Sequence, residues 1–173
     1  MISQIWTVGH STRTIDEFVA ALESHGIKLL VDVRSLPGSK RYPQFNKEAL
    51  SASLHKVGIR YEHFLELGGR RKAPPNSRNI AWRNASFRGY ADYMETEEFQ
   101  KGIERLVDLA KEVGSTAIMC AEAVWWHPRQ PTPSNRESIC SLYSRPHDAV
   151  IRVYDEAGNV IEIHKHGGAF KEW

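Results

Sequence analysis

Five residues whose side chains can take part in catalysis each lie at or just after the end of an apolar run: His10, Asp32, Arg34, Cys120 and Glu122. Ligands of a parallel α/β sheet collect beyond the carboxyl ends of its strands, so we expect these side chains in one cleft. The imidazole could act as acid or base, a carboxylate could orient it or activate water, and the guanidinium could hold an anion. A carboxylate buried beside an arginine costs desolvation energy, which favours a functional role for this pair.

Each of these residues also has an ordinary structural interpretation, as a hydrogen-bonded loop histidine, a capping carboxylate or a cysteine that packs as a small apolar residue. A Ser–His–Asp triad of Ser11, His10 and Asp32 is disfavoured, because neighbouring residues on extended backbone point apart. The potential metal ligands are scattered and no Cys-x-x-Cys or His-Glu-x-x-His motif occurs, so we predict no metal. A Gly-x-Gly-x-x-Gly motif and a Walker sequence are also absent, and we predict no cofactor.

Positive charge is concentrated between residues 34 and 88, where twelve Lys or Arg residues stand against three acids, a local net charge of +9 in a chain whose total is +2. Glycines expose backbone N–H groups to anions, and arginines bind phosphate with two parallel hydrogen bonds. We therefore expect a phosphate-bearing small molecule or a nucleic acid as the partner, with interleaved aromatic rings as stacking surfaces for bases. The predicted ligand contacts are Ser11, Ser39, Lys40, Gly68, Gly69, Arg70, Arg71, Arg88 and Tyr90.

The elements that must position these residues alternate between strand and helix patterns, which predicts an α/β fold. Apolar runs predict four strands, at residues 5–8, 28–33, 60–64 and 115–122. A capping box formed by Thr14 and Glu17 predicts the start of the first helix, which should end at Gly26. Helical spacing predicts three more helices, at residues 47–57, 90–94 and 97–112. Residues 66–87 have no period and contain two adjacent prolines, which indicates a long loop. The expected architecture is a small three-layer domain with a mostly parallel sheet.

The composition excludes several classes of protein. With 173 residues, 41% hydrophobic and 25% charged, the chain can bury one sizeable core, so collagen, coiled coil and disorder are excluded. Two cysteines are too few for a disulfide framework, and the first residues lack the pattern of a cleaved signal peptide. Apolar runs are far shorter than the roughly 20 residues that cross a bilayer, so we expect no membrane partner and a cytoplasmic location.

The composition changes after residue 126, where four prolines fall between residues 128 and 146. We divide the chain into an α/β domain at 1–126, an irregular Pro-rich linker at 127–147 and a β-hairpin tail at 148–173, with hairpin strands at 150–154 and 160–165. Prolines forbid the helix that would cover the sheet after Glu122. We therefore expect Val31, Val33, Ile118 and Trp125 to lose their cover, and the chain to associate with itself through that face or to use the hairpin as a lid.

Five segments together resemble the bacterial domain of unknown function 488 family: residues 7–11, 31–39, 67–70, 88–94 and 119–122. The resemblance covers residues 1 to about 126 and implies a compact α/β domain with these polar motifs in one cleft. Members of the family continue, after the Cys-Ala-Glu motif, into Cys-His-Arg, a helix and a final strand. This chain has no Cys-His-Arg, and its end resembles that of a separate short bacterial protein joined by fusion or frameshift, which implies impaired activity.

Three functions follow for this cleft. The leading hypothesis is an enzyme-like site, lined by His10, Asp32, Arg34, Arg70, Cys120 and Glu122, that binds or acts on a phosphate-bearing or nucleic-acid-related ligand. A second is a non-catalytic module that binds nucleic acids or other anions with the same basic residues. A third is sulfur transfer of the rhodanese type through Cys120, although no anion-cradling loop follows that cysteine.

Overall fold

Strands and helices alternate along the chain as the apolar pattern predicts. The computed structural model describes residues 4–10, 12–69, 71–80, 85–120, 150–154 and 160–165. Its strands are β1 (Gln4–Gly9), β2 (Leu29–Asp32), β3 (Arg60–His63), β4 (Thr116–Cys120), β5 (Val150–Tyr154) and β6 (Val160–Lys165). Its α-helices are α1 (Ile15–Ser24), α2 (Lys47–Lys56), α3 (Ala85–Met94) and α4 (Glu97–Val113), with short 3₁₀ turns at Pro43–Phe45 and Leu65–Leu67.

The described strands form one sheet in the order β3-β2-β4-β1-β5-β6. Strands β1 to β5 run parallel to their neighbours, and β6 alone pairs antiparallel with β5. The α/β class and the mostly parallel sheet are therefore confirmed. Strand β4 lies between β2 and β1, so the carboxyl ends of three chemistry-bearing strands meet at one edge.

Helices cover both faces of the sheet, which completes the three predicted layers. Helices α1 and α2 pack on one face, through a buried cluster that includes Phe18, Leu30 and Leu54. Helices α3 and α4 pack on the other face, through a cluster that includes Val31 and Leu106. Successive strand residues point to opposite faces, so Leu30 and Val31 belong to different cores.

Local sequence explains where the first two helices begin and end. Thr14 Oγ1 accepts a hydrogen bond from Glu17 N and Glu17 Oε2 accepts one from Thr14 N, which is the predicted capping box at the start of α1. Gly26 ends that helix with a φ of +63°, a conformation that costs glycine little. Asn46 precedes α2, but its side chain makes no cap. Its Oδ1 instead accepts a hydrogen bond from Ser39 N at 2.6 Å, which fastens the loop after β2.

The expectation of an uncovered sheet face is wrong for the three residues that the structure describes. Val31, Val33 and Ile118 are all at most 3% exposed, because α3 and α4 pack over them. Self-association through that face therefore has no support from these residues. Trp125, the fourth residue expected to lose its cover, lies outside the described residues, as does the predicted Pro-rich linker.

The hairpin strands β5 and β6 have the predicted bounds, but they do not lie over the sheet as a lid. Strand β5 pairs in parallel with β1 from Gln4 to Thr7, so the hairpin extends the sheet sideways. A parallel neighbour satisfies the backbone N–H and C=O groups on the side of β1 that faces away from β4, which accounts for the position of β5. Strands β5 and β6 are therefore part of the sheet and not a lid over it.

Helix α3 begins five residues earlier than its periodic pattern predicted, at Ala85 rather than residue 90. The predicted long loop from residue 66 is correspondingly shorter and includes the 3₁₀ turn at Leu65–Leu67. Tyr90 on this helix is 6% exposed and packs in the same core as α4. Such non-local packing stabilises the helix and is not visible in the local pattern. Among the described residues, no helix has both the length and the apolar character that crossing a membrane requires.

Candidate functional site

A polar cluster occupies the carboxyl ends of β1, β2 and β3 on the face covered by α1 and α2. Alternation places Asp32 on the same face as Leu30, and Arg34 continues that series two residues further. His63 stands opposite Asp32 in the parallel register of β2 and β3. His10 follows Gly9 and donates its backbone N–H to Cys120 O at 3.4 Å. The residues of this face thus converge from strands that are far apart in sequence.

Asp32 and Arg34 form a buried ion pair at the centre of the cluster. The side chain of Arg34 is 8% exposed and that of Asp32 is fully buried. Arg34 donates from Nε to Asp32 Oδ1 at 2.9 Å and from Nη2 to Oδ2 at 2.7 Å. Its Nη2 also donates to Phe45 O at 2.8 Å, and its backbone N donates to Asp32 Oδ1 at 3.0 Å. The forked face of the guanidinium is therefore occupied by protein groups.

The His10 imidazole lies between this pair and an aromatic wall. Its ring stacks on Phe45 with centroids 4.4 Å apart and meets Tyr42 edge-on at 6.2 Å. Its Nε2 lies 3.4 Å from Arg34 Nη1. A guanidinium nitrogen can only donate, so this contact fits a His10 whose Nε2 carries a lone pair.

Tyr61 and His63 belong to the cluster although neither was among the predicted site residues. Tyr61 Oη donates to Asp32 Oδ2 at 2.7 Å, and burial, reinforced by this contact with the carboxylate, raises the pKa of the phenol well above its usual value. His63 Nε2 donates to Arg34 O at 2.9 Å, since a carbonyl only accepts. The alternation Arg-Tyr-Glu-His along β3 assigns Tyr61 and His63 to one face, and the pairing of β3 with β2 would have revealed both residues.

The structure does not bring the Cys120 side chain to this face. Along β4, Ala117 and Met119 pack with α1 and α2, whereas Ile118 packs with α3 and α4. Alternation therefore assigns the half-buried Cys120 to the face of Ile118, opposite His10. Glu122, Ser11 and Arg70, which were also predicted for the cleft, lie outside the described residues.

The loop after β2 holds two of the predicted ligand contacts, Ser39 and Lys40. Ser39 Oγ accepts hydrogen bonds from the backbone N–H groups of Arg41 and Tyr42, so Ser39 shapes the turn. Lys40 and Arg41 are exposed. The loop thus orients the Tyr42 ring toward His10 and leaves two cations at its surface.

The loop after β3 holds Gly68, whose Cβ position would lie 2.5 Å from Ser35 Oγ and 3.3 Å from Val33 O. Only a glycine allows this loop to approach the loop after β2 so closely. Gly69 follows it and is half-buried. The two loops therefore meet at this point of the carboxyl edge.

Arg71 and Tyr90, both predicted as ligand contacts, are engaged in the fold. Arg71 donates to Gly68 O and Leu65 O, and its guanidinium carbon lies 3.6 Å from the centroid of the Tyr93 ring. Tyr90 is buried and donates to Leu67 O at 3.1 Å. These contacts fasten the loop after β3 to α3. Arg88, the third predicted contact on this side, is half-buried on α3.

Exposed cations remain on both loops of this edge. Lys40, Arg41, Lys72 and Arg78 form no ion pair with any residue that the structure describes. On β3 and α4 the cations do contact acids; these are Arg60, Lys101, Arg105 and Lys111. Four exposed cations of the two loops are thus without an ion pair to any acid in the described part of the chain.

Comparison with known proteins identifies a family for this chain. A family model described as domain of unknown function DUF488 matches residues 14–137, which is most of the chain. Comparison with curated proteins returns no match, and comparison with solved structures returns none either. On the strength of the family-model match, the chain belongs to the domain of unknown function DUF488 family.

Proposed function

We propose that this protein binds a phosphate-bearing ligand, such as a nucleotide or a short nucleic acid, at the carboxyl edge of its sheet, with His10 as the proton-transfer group of an enzyme-like site. The observation that carries the proposal is a set of exposed cations on the two loops that follow β2 and β3, which form no ion pair with the residues that the structure describes: Lys40, Arg41, Lys72 and Arg78. Phosphate oxygens attract such charges over several ångströms and accept their hydrogen bonds.

The directions in which the two loops leave their point of contact support a ligand site beside them. The loop after β2 leads to α2 on one face, and the loop after β3 leads to α3 and α4 on the other. Ligands of open α/β sheets bind where neighbouring connections diverge in this way. A phosphate bound there has cations on both sides, and the polar cluster around His10 lies on the β2 side.

Arg34 has a different role in this proposal from the anion clamp that the sequence suggested. Asp32 and Phe45 O occupy its Nε and Nη2, and Nη1 faces His10. Its charge is neutralised by a carboxylate at 2.7 Å. Binding of the phosphate therefore falls to the exposed cations, while Arg34 orients the imidazole.

A salt-dependent binding measurement tests the proposal. The probe is a short single-stranded oligonucleotide with a 5′-phosphate, and its affinity is measured at several salt concentrations. Removing two cations at once, as Lys72→Ala with Arg78→Ala, should weaken binding and reduce the slope of log affinity against log salt by about 0.7 for each phosphate that the variant no longer neutralises. The matched control is Lys101→Ala with Lys111→Ala, which removes the same charge from α4, where acids neutralise it.

The outcomes separate the three functions. Binding that weakens with the loop pair and not with the α4 pair supports the proposal, whereas equal effects of the two pairs contradict it. Chemical change of the bound oligonucleotide that is lost in His10→Gln supports an enzyme, and binding without any change supports a non-catalytic module. Rapid alkylation of Cys120 at neutral pH would instead favour sulfur transfer, because that reaction needs a thiolate.

A further inference from the structure

We propose that Asp32 and Tyr61 are positioning residues that act through Arg34 to hold His10 as a neutral imidazole with its proton on Nδ1 and its Nε2 as acceptor. This inference rests on the proposed function only in giving His10 a role with the ligand. It gives each side chain of the network a defined role as donor or acceptor; the four residues are His10, Asp32, Arg34 and Tyr61. Nothing in the sequence pattern distinguishes these states.

The first step is the direction of the Arg34 guanidinium. This group is planar and rigid, so the bonds from Nε and Nη2 to the two Asp32 oxygens fix its plane and its rotation. A third bond, from Nη2 to Phe45 O, holds its far side. Nη1 is then aimed at His10 Nε2, 3.4 Å away.

The second step is the state of His10. An imidazole that carried a proton on Nε2 would direct an N–H at another N–H, so the contact selects the form with a lone pair on Nε2. Stacking on Phe45, with an interplanar angle of 18°, keeps the ring plane in this position. The proton of the neutral ring is therefore on Nδ1.

The third step is the part of Tyr61. Its hydroxyl donates to Asp32 Oδ2, the same oxygen that accepts from Arg34 Nη2. Asp32 is fully buried, so loss of this donor leaves Oδ2 with the Arg34 Nη2 bond alone, and one of the four hydrogen bonds that orient the carboxylate is gone. The direction of the Arg34 guanidinium is then less tightly held, and so is the contact that selects the tautomer of His10.

His63 supplies an internal comparison on the other side of Arg34. Its Nε2 donates to the Arg34 carbonyl oxygen, so its proton is on Nε2. Two of the eight histidines are thus expected in opposite tautomers within one network. A single spectrum of the side-chain nitrogens can therefore show both forms.

The test is nitrogen-15 NMR of the histidine side chains in the full chain, about two pH units above the ordinary histidine pKa of about 6.5. Signals are assigned by their loss in His10→Gln and His63→Gln. The informative variant is Tyr61→Phe, which keeps the ring and removes the hydroxyl. Its matched control is Tyr42→Phe. Tyr42 contacts the His10 ring, whereas the tyrosine that donates to Asp32 in the described part of the chain is Tyr61.

We expect wild-type His10 to show a protonated Nδ1 and an unprotonated Nε2, and His63 the reverse. Tyr61→Phe should shift both His10 nitrogens toward averaged values, and Tyr42→Phe should leave them in place. A His10 protonated on Nε2 in the wild type, or the same shift in both tyrosine variants, would overturn the inference.

Adding the phosphorylated oligonucleotide to the same samples separates this inference from the proposed function. If the tautomers are as expected but the oligonucleotide does not bind, the positioning inference is supported and the proposed function is contradicted. If the oligonucleotide binds but His10 lacks the expected tautomer, the proposed binding function is supported and the positioning inference is contradicted. Binding that moves the His10 signals in the wild type, and less in Tyr61→Phe, supports both.

Discussion

Replacing Asp32 with Asn removes the negative charge at the centre of the polar cluster while keeping the shape of the side chain. The carboxylate accepts four hydrogen bonds, three from Arg34 at 2.7–3.0 Å and one from Tyr61 at 2.7 Å. An amide retains one acceptor oxygen and directs an NH₂ group at donors. Arg34, whose side chain is 8% exposed, then has no carboxylate partner among the described residues.

The expected loss of stability follows from this burial. Removing one partner of a buried ion pair costs about 3–5 kcal/mol, because the remaining charge stays out of water without compensation. For a chain of this size each kcal/mol lowers the thermal midpoint by about 2–4 °C, so we expect a drop of roughly 6–20 °C. Over most of the usual range of stability, about 5–15 kcal/mol, this loss leaves the domain mostly folded at room temperature, so the variant can be measured.

The assay is urea unfolding of four proteins: the wild type, Asp32→Asn, Arg34→Met and the double variant. Removing both charges is often neutral, so the double variant should regain at least about 2 kcal/mol relative to Asp32→Asn. The control Asp108→Asn breaks an exposed ion pair with Lys111 and should change the unfolding free energy by less than about 1 kcal/mol. A loss below about 1 kcal/mol for Asp32→Asn, or additive losses in the double variant, would refute the reasoning.

Three further predictions concern the scaffold and its titrating groups. Gly89→Ala places a Cβ 2.5 Å from the backbone of the loop after β3 and should lower the unfolding free energy by about 1–3 kcal/mol in urea, whereas Gly38→Ala, with nothing within 4 Å, should not. Burial raises the pKa of the Tyr61 phenol, so the neutral side chain stabilises the fold below a pH of about 10. This contribution is lost as the pH rises further. Tyr61→Phe should therefore reduce the loss of unfolding free energy at alkaline pH, measured in unfolding experiments. The pKa of Glu17 is lowered, mainly by the backbone N–H of Thr14, so its contribution to stability is present above the usual carboxyl range and is lost as the pH falls. Glu17→Gln should weaken this acid loss in unfolding experiments.

Much of the local structure could be predicted from the sequence because it depends on neighbouring residues. The capping box of Thr14 and Glu17 marks the start of α1, and strands β5 and β6 have the bounds that alternation and turn residues predicted. The position of His10, Asp32 and Arg34 after apolar strands was sufficient to predict their convergence, since the ends of parallel strands share an edge. These inferences need only the helical and strand periods and the chemistry of helix ends.

Strand order and register were decided by the tertiary structure, and with them the composition of the site. Pairing of β3 with β2 brings Tyr61 and His63 to Asp32 and Arg34 across about 30 positions of sequence, which no local pattern specifies. The same non-local packing assigns Cys120 to the opposite face. A strand has two faces, and the face that each residue occupies depends on which helices pack on either side.

For the part of the chain that the structure describes, the sequence by itself determined which segments form α-helices and strands, the excess of positive charge and the residues at the strand ends. Only the tertiary structure decided which cations remain available: Arg34 is neutralised by Asp32, and Arg71 is bound to carbonyl groups and the Tyr93 ring, while Lys72 stays exposed. The physical reason is that charge is a property of one residue, whereas its neutralisation depends on which groups the fold places within a few ångströms.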